Sequence, residues 1–258
     1  MITEPTITLI TINFNNKYGL ERTLKSVIQQ RDFEGWEHII IDGGSTDGSL
    51  SVIEKYQSAC DNVRALSEKD NGIYDAMNKG INLASGQFIC FLNSGDVFSS
   101  DCVAEHLYKI ARYSPGFCFI YGDIQFKDEK GNIKRYWKSN KFVRWKLFTG
   151  WMPPHPGTMI RSSNRELIAG FNEDFLIAGD YDLMLRVLLD RNCRIKYVPK
   201  LLVDMEPGGV SNRSLSSVIR GNLEVLRSWK NINIFFFPFW IICTKPLSKV
   251  AQIVRKSK

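Results

Sequence analysis

Between residues 7 and 92 the chain repeats one pattern: a short apolar run, a cluster of small polar residues, then apolar residues at helical spacing. The runs are 7–12 (ITLITI), 36–41, 63–66 and 88–92 (FICFL), and the helical positions are Leu20, Leu24, Val27 and Ile28, then Leu50, Ile53 and Tyr56, then Ile73, Met77, Ile81 and Ala84. Strands alternating with helices predict βαβ units and a mostly parallel sheet. Residues 88–92 are apolar without alternation, as a strand covered on both faces requires. Ligands of open α/β sheets bind beyond the carboxyl ends of the strands, so Asn93, Ser94 and Asp96 stand where one would be held. The competing reading is a plain surface turn, which favours Asn, Ser, Gly and Asp for backbone reasons alone. Ser45 or Asp47 is placed to cap the second helix.

Composition narrows the class. The 258 residues, 44% of them hydrophobic, can fill the core of one sizeable α/β domain or two small ones. Six cysteines without a C-x-x-C pair predict reduced thiols in a cytoplasmic setting, with neither a zinc site nor a disulfide framework. Residues 1–5 carry no secretion signal. A formal charge of +7 suits nucleic acid, a membrane surface or a phosphorylated substrate equally. The first loop, Asn13-Phe14-Asn15-Asn16, lacks G-x-G-x-x-G, which disfavours a dinucleotide-binding site.

The second half is less regular. Val103, Leu107 and Ile110 predict a helix, 117–121 a strand, and 124–136 a hairpin turning at 128–132. Asp123 is a further acid for the same edge. Trp137, Phe142, Trp145, Phe148 and Trp151 suit core packing, or stacking on sugar rings in the case of Trp151. His155 lies between prolines before a short strand, placed for a phosphate or sugar hydroxyl or for a backbone partner. Tyr181, Met184, Leu185 and Leu188 predict a helix with Asp180 at its N-terminus, where the dipole favours a carboxylate and N-capping alone would explain one. A strand at 195–198, a basic loop at 206–213 and a helix at 214–230 follow.

IIIDGGSTDGS and GIYDAMNKGINLASGQFICFLNSGD, in this order after a strand and an Asn-rich loop, resemble the inverting glycosyltransferases of family 2, with a GT-A fold. The likeness covers residues 5–215 and leans toward bacterial polysaccharide and O-antigen enzymes. It implies a GT-A domain at 1–215, with a nucleotide-donor half at 1–98 and an acceptor half at 99–215. It also implies donor contacts from Thr11, Asn13, Asn15, Asp42, Asp70, Gly72, Asp75, Asn78, Asn93, Ser94 and Arg213, and a Mg or Mn ion on Asp96, held mainly by the donor diphosphate. Asp180 would be the general base, and His155 and Trp151 would face the acceptor or a phosphate. Four positions depart from the family pattern: Gly43 follows Asp42 where relatives carry a second Asp, Asn93 and Gly95 leave the metal segment one carboxylate, and Gly179 stands where a Glu precedes the base.

Residues 234–243 (IFFFPFWIIC) are too short to span a bilayer, and five basic residues without an acid follow Cys243. Aromatics beside such a cationic segment predict a helical extension at 216–258 whose residues 234–258 touch the inner face of an anionic membrane, or pack on the body or a partner subunit. The expected activity is transfer of one sugar, supplied as a uridine diphosphate sugar, to a lipid-linked saccharide; an oligomer is compatible with it. A nucleotide- or sugar-binding module without catalysis, a metal-independent transferase and a nucleic-acid binder are the rival readings, the last resting on net charge alone.

Overall fold

A computed structural model describes residues 6–30, 35–114, 116–128, 130–164, 169–206 and 215–232. The repeat seen in the sequence folds as β1 (Ile7–Asn13), α1 (Lys17–Ile28), β2 (Trp36–Asp42), α2 (Ser49–Ala59), β3 (Val63–Ser67), α3 (Ile73–Leu83) and β4 (Phe88–Phe91). The chain continues through β5 (Val97–Phe98), α4 (Val103–Tyr113), β6 (Phe119–Lys127), β7 (Ile133–Trp137), β8 (Thr158–Arg161), α5 (Gly179–Leu189), β9 (Ile195–Met205) and α6 (Leu215–Asn231). One mixed sheet runs β3-β2-β1-β4-β8-β6-β9-β5, with β7 beside β6.

The first four strands are parallel throughout: β1 lies between β2 and β4, and β2 pairs with β3. β8 joins β4 and β6 antiparallel, so β6 points the same way as β4, and β9 runs parallel to β6. Side-chain alternation explains the uninterrupted apolar runs. Phe88, Cys90 and Leu92 face a core under α1, α2 and α4, whereas Ile89 and Phe91 face a core under α3, α5 and α6. Each face is covered, so each position is buried.

Two predicted elements prove longer than their periodicity suggested. The strand at 117–121 and the first arm of the hairpin are one strand, β6, and the strand at 195–198 extends to Met205. Their pairing slips between Tyr121 and Asp123, opposite Val198-Pro199-Lys200, so a proline without an N–H sits where the ladder is already broken. Gly122 belongs there because a Cβ would lie 2.5 Å from Leu202. Asp47 caps α2 by accepting from Ser49 N–H (3.0 Å), while Ser45 is drawn elsewhere.

Helix α6 is not separate from the body. Trp229 is wholly buried, and with Val225 it joins the core that contains α5. Trp229 Nε1 donates to the Tyr181 hydroxyl at 2.8 Å. Residues 233–258, with the expected membrane segment, lie outside the described residues, as does Arg213. No helix among the described residues is long and apolar enough to cross a membrane.

At the amino edge of the sheet, Glu37 on β2 ties β1 to the turn before β4. It accepts from Thr8 Oγ, from Ser85 N–H (2.5 Å) and Gly86 N–H (3.0 Å), and from Arg64 (2.7 Å). Burial opposes its ionisation, but the hydrogen bonds outweigh burial and hold its pKa below the ordinary 4.5. Glu37→Ala should cost about 2–3 kcal/mol, since it strands buried donors, read as a lower urea midpoint at unchanged slope. The wild-type contribution is full at neutral pH and fades as pH falls below 4.5 toward the depressed folded value; equal acid sensitivity in wild type and variant would refute the assignment.

Candidate functional site

The carboxyl ends of β1, β2 and β4 meet around Asp42, which is wholly buried. Its carboxylate accepts from Asn13 Nδ2 (2.8 Å), Ser45 Oγ (2.6 Å), the N–H groups of Gly44 (3.2 Å) and Ser45 (2.9 Å), and Ser67 Oγ (2.8 Å). Burial raises its pKa, and the bonds from Ser45, Asn13 and Ser67 more than reverse this, so it stays ionised. Asn13 extends the network by accepting from Ser94 Oγ at 2.8 Å. Asn15, with φ +46°, accepts from Thr46 N–H at 2.9 Å.

Two of the expected donor residues are engaged within the protein. Asp42 spends its oxygens on the loops around it. Thr11 is also wholly buried, and its hydroxyl donates to Leu92 O (2.8 Å) and meets His38 Nε2 at 2.9 Å. Both residues are central to the site but face inward.

Asp70 and Phe14 take the exposed places. The carboxylate of Asp70 lies over Gly43, where any side chain would collide with it, and the Phe14 ring lies 3.1 Å from the same point. Phe14 is 62% exposed. A flat ring beside a carboxylate can stack on a base and accept its N–H. Phe14 escaped the sequence reading because a lone aromatic in an Asn-rich loop has no periodicity. Gly72 begins α3 with φ +130° and donates to Asp70 Oδ1 at 3.1 Å. Asp75 accepts from Asn71 N–H at 2.8 Å and pairs with Lys79.

Beyond β4, Asp96 is 8% exposed, and its carboxylate accepts no hydrogen bond from the described residues. Burial raises its pKa to about 7, against the nearby Arg22 guanidinium. Asn93 Oδ1 in the same turn is buried without a partner. Glu206 brings a carboxylate within 3.4 Å of where a Gly95 Cβ would sit, and pairs with Arg22. Unpartnered oxygens of this kind are what a hard divalent cation takes, so the turn fits Mg or Mn. Among the described residues no three His, Cys, Asp or Glu side chains group as a complete ligand set.

The facing side of this edge is built from α5 and the segments before it. His155 is 7% exposed, its ring lies 5.1 Å from that of Phe91 at the end of β4, and its Nε2 has no partner. Burial lowers its pKa and the charge of Asp180 opposes this, and the 155–157 turn packs against α5. Asp180 in turn acts on Tyr74 of α3, whose hydroxyl faces the backbone N–H groups of Gly179 and Asp180. Phe91, His155, Phe171 and Tyr74 therefore connect the strand that leads into Asp96 to the N-terminus of α5.

Three supports fix that N-terminus. Tyr74 stacks on Phe171 (5.5 Å) and fills the space beside Gly179, where a Cβ would lie 2.7 Å from its ring. Asn78 donates to Phe171 O (3.0 Å) and Glu173 Oε1 (2.8 Å) and accepts from Phe171 N–H (2.7 Å), so its polar atoms hold the 170–173 loop. Glu224 of α6 accepts from the N–H groups of Leu176 (3.1 Å), Ile177 (2.9 Å) and Ala178 (2.8 Å). Glu224 lies far from Asp180 in sequence and on a polar helix position, so no local signal marks it.

Two further residues stand apart. Trp151 is partly buried against Phe142 and Tyr121, at 6.1 and 6.3 Å. Asp123 is enclosed by Tyr136 Oη (2.9 Å), Tyr197 Oη (2.8 Å) and Ser139 N–H (2.8 Å), a structural setting.

Comparison with known proteins agrees with this architecture. The model of Glycosyl transferase family 2 matches residues 8–168. An uncharacterised glycosyltransferase of Mycobacterium tuberculosis is 34% identical over 240 residues, covering 87% of this chain and 84% of that protein. The GalNAc(5)-diNAcBac-PP-undecaprenol beta-1,3-glucosyltransferase of Campylobacter jejuni is 29% identical over 133 residues, 51% of this chain and 41% of that enzyme, so the match spans less than half of the relative. Residues 1–349 of S. aureus TarS, solved with UDP-GlcNAc, superpose with TM-score 0.61 at 16% identity, covering 87% of this chain and 72% of that one.

Gly179→Ala should force the Tyr74 ring aside and cost about 1–3 kcal/mol, as overpacking does. Combining it with Tyr74→Leu should return part of that loss in thermal unfolding. Strictly additive losses would show that the two positions do not share the space.

Proposed function

Because the chain belongs to glycosyl transferase family 2, we propose that this hexosyltransferase works with inversion, moving one sugar from a nucleotide diphosphate donor, a UDP-sugar, to a lipid-linked saccharide in bacterial surface polysaccharide assembly. The observation that supports the reading is the run of ring contacts from Phe91 through His155, Phe171 and Tyr74 to Gly179, which leads from the strand before Asp96 to the helix start that carries Asp180. The UDP-GlcNAc bound by TarS supports the donor, and the undecaprenol-linked acceptor named for the Campylobacter relative supports the acceptor.

Asp70 and Phe14 receive the base. Gly44 and the Asn13, Asn15 and Ser94 network shape the floor on which the rest of the nucleotide lies. Asp96 and Asn93 Oδ1 hold a divalent cation, Mg or Mn, which when bound offsets the negative charge growing on the departing diphosphate. Asp180 removes the proton from the acceptor hydroxyl as that oxygen attacks the anomeric carbon from the face opposite the leaving group. His155 Nε2, buried and unpartnered, is available to the acceptor or a phosphate oxygen. Glu224, Tyr74 and Asn78 keep Asp180 in place, a precision that proximity catalysis rewards. Residues 234–258 bring the enzyme to the inner membrane face, where its acceptor resides.

Asp180→Asn should bind donor as the wild type does, measured by the UDP-sugar-induced rise in melting temperature, yet lose about 10²–10⁴-fold in transfer. Substantial retained turnover would remove Asp180 as the base. Deleting residues 234–258 should weaken binding to anionic vesicles tenfold or more without changing the donor-induced shift. Unaltered vesicle binding would exclude the tail as the membrane contact.

A further inference from the structure

A second cleft lies away from the donor edge. It is a groove of about 460 Å³ between the start of β6, the start of β9 and the segment entering the 3-10 turn at Arg144–Thr149. This volume is within the range of about 300–1,000 Å³ that small-ligand sites occupy. Phe117, Phe142 and Tyr197 wall it with rings, and Lys141, Arg144 and Lys196 supply cations. No Asp or Glu lines it.

The charge is what marks the groove. Several cations elsewhere pair with an acid: Lys79 with Glu68 and Asp75, Lys109 with Glu105, Lys127 with Asp204, Lys134 with Asp128, Arg186 with Asp182. Around the groove no cation has a carboxylate partner among the described residues. Lys196 Nζ donates to Ser114 Oγ at 2.9 Å and lies 5.1 Å above the Phe117 ring. Arg194 lies over the same ring, at 4.9 Å. Arg144 donates to the carbonyls of Leu188, Leu189 and Asp190, so the helix dipole of α5 offsets only part of its charge. The neighbouring acids are engaged: Asp190 accepts from Asn192 N–H, and Asp123 is enclosed beneath Tyr197. Unpaired cations beside aromatic walls complement a ligand that carries negative charge on a flat, partly apolar frame.

Register places this groove relative to the transfer centre. Phe119 is level with Ile160 and Ile160 with Ile89, so the groove opens near the start of β4, whereas Asn93–Asp96 follow its end. Five residues of strand separate the two levels, roughly 15 Å at the usual rise per residue. We propose that the groove binds an anionic saccharide, a segment of the acceptor glycan remote from the hydroxyl that receives the new sugar. This rests on the glycosyltransferase reading and adds a second, charge-selective acceptor subsite to it.

The test is direct binding by the full-length protein. A hyaluronan hexasaccharide presents carboxylates and a glycerol phosphate oligomer presents phosphates; maltohexaose and single-stranded DNA of matched charge serve as comparisons. At least one anionic saccharide should bind tenfold or more tighter than maltohexaose, and whichever does identifies the anionic group. Lys141→Glu and the double variant Lys141→Glu/Lys196→Gln should each lose that preference, with an unchanged melting temperature and an unchanged UDP-sugar shift. Lys141 is exposed and makes no ion pair, so its variant keeps the test informative if the double variant folds poorly. Wild-type affinity in Lys141→Glu, equal binding of the neutral hexasaccharide, or preference for DNA over both anionic saccharides would overturn the proposal. A missing UDP-sugar shift in the wild-type protein would instead count against the donor reading, which the saccharide titration does not measure.

Discussion

The site depends on one buried carboxylate that the surrounding loops hydrogen-bond. Asp42 gathers donors from the loops after β1, β2 and β3, and Asn13 carries that order on to Ser94 beyond β4. A buried charge is tolerable only when hydrogen-bonded on all sides, and satisfying it forces four loops into one geometry. Remove it, and Asn13, Ser45 and Ser67 would each lose a partner while the turn holding Asn93 and Asp96 would lose its tether. The parallel strands bring the loops to one edge; Asp42 decides how they sit there.

A second principle recurs at the three glycines where the chain departs from its family's acidic pattern. Beside Gly43 stands the Asp70 carboxylate, beside Gly95 that of Glu206, and beside Gly179 the Tyr74 ring. At Gly43 and Gly179 a side chain from a distant segment uses the volume that a local side chain would have taken, and at Gly95 one comes into contact with it. Missing acids in the linear motif are therefore poor evidence for a missing function. What matters is which group reaches the space, and that is set by packing among α3, α5, β9 and the loops above β2.

Helix α6 belongs to the same logic. Its buried face, through Trp229 and Val225, supports α5, and Glu224 ties down the backbone that leads into Asp180. Read from sequence, this stretch is an amphipathic helix at the edge of an extension. In three dimensions it is the wall behind the start of α5, and its contribution passes through backbone N–H groups that leave no trace in residue identity.

Much was legible beforehand. Runs such as ITLITI and FICFL announced strands buried on both faces because a two-sided environment tolerates no polar alternation, and the spacing of Met77 and Ile81 or of Met184 and Leu188 announced helices with one apolar side. The polar turn after the Phe88 strand pointed to the functional edge for the same reason. Sequence was silent on partners. It could not tell that Thr11 and Asp42 turn inward, that β6 and β9 run on through a broken register at Gly122 and Pro199, or that Phe14, Glu206 and Glu224 join the site. Local order follows from periodicity, which the chain carries in itself; the choice of partner follows from which side chains fill the same space, and only the folded molecule makes that choice.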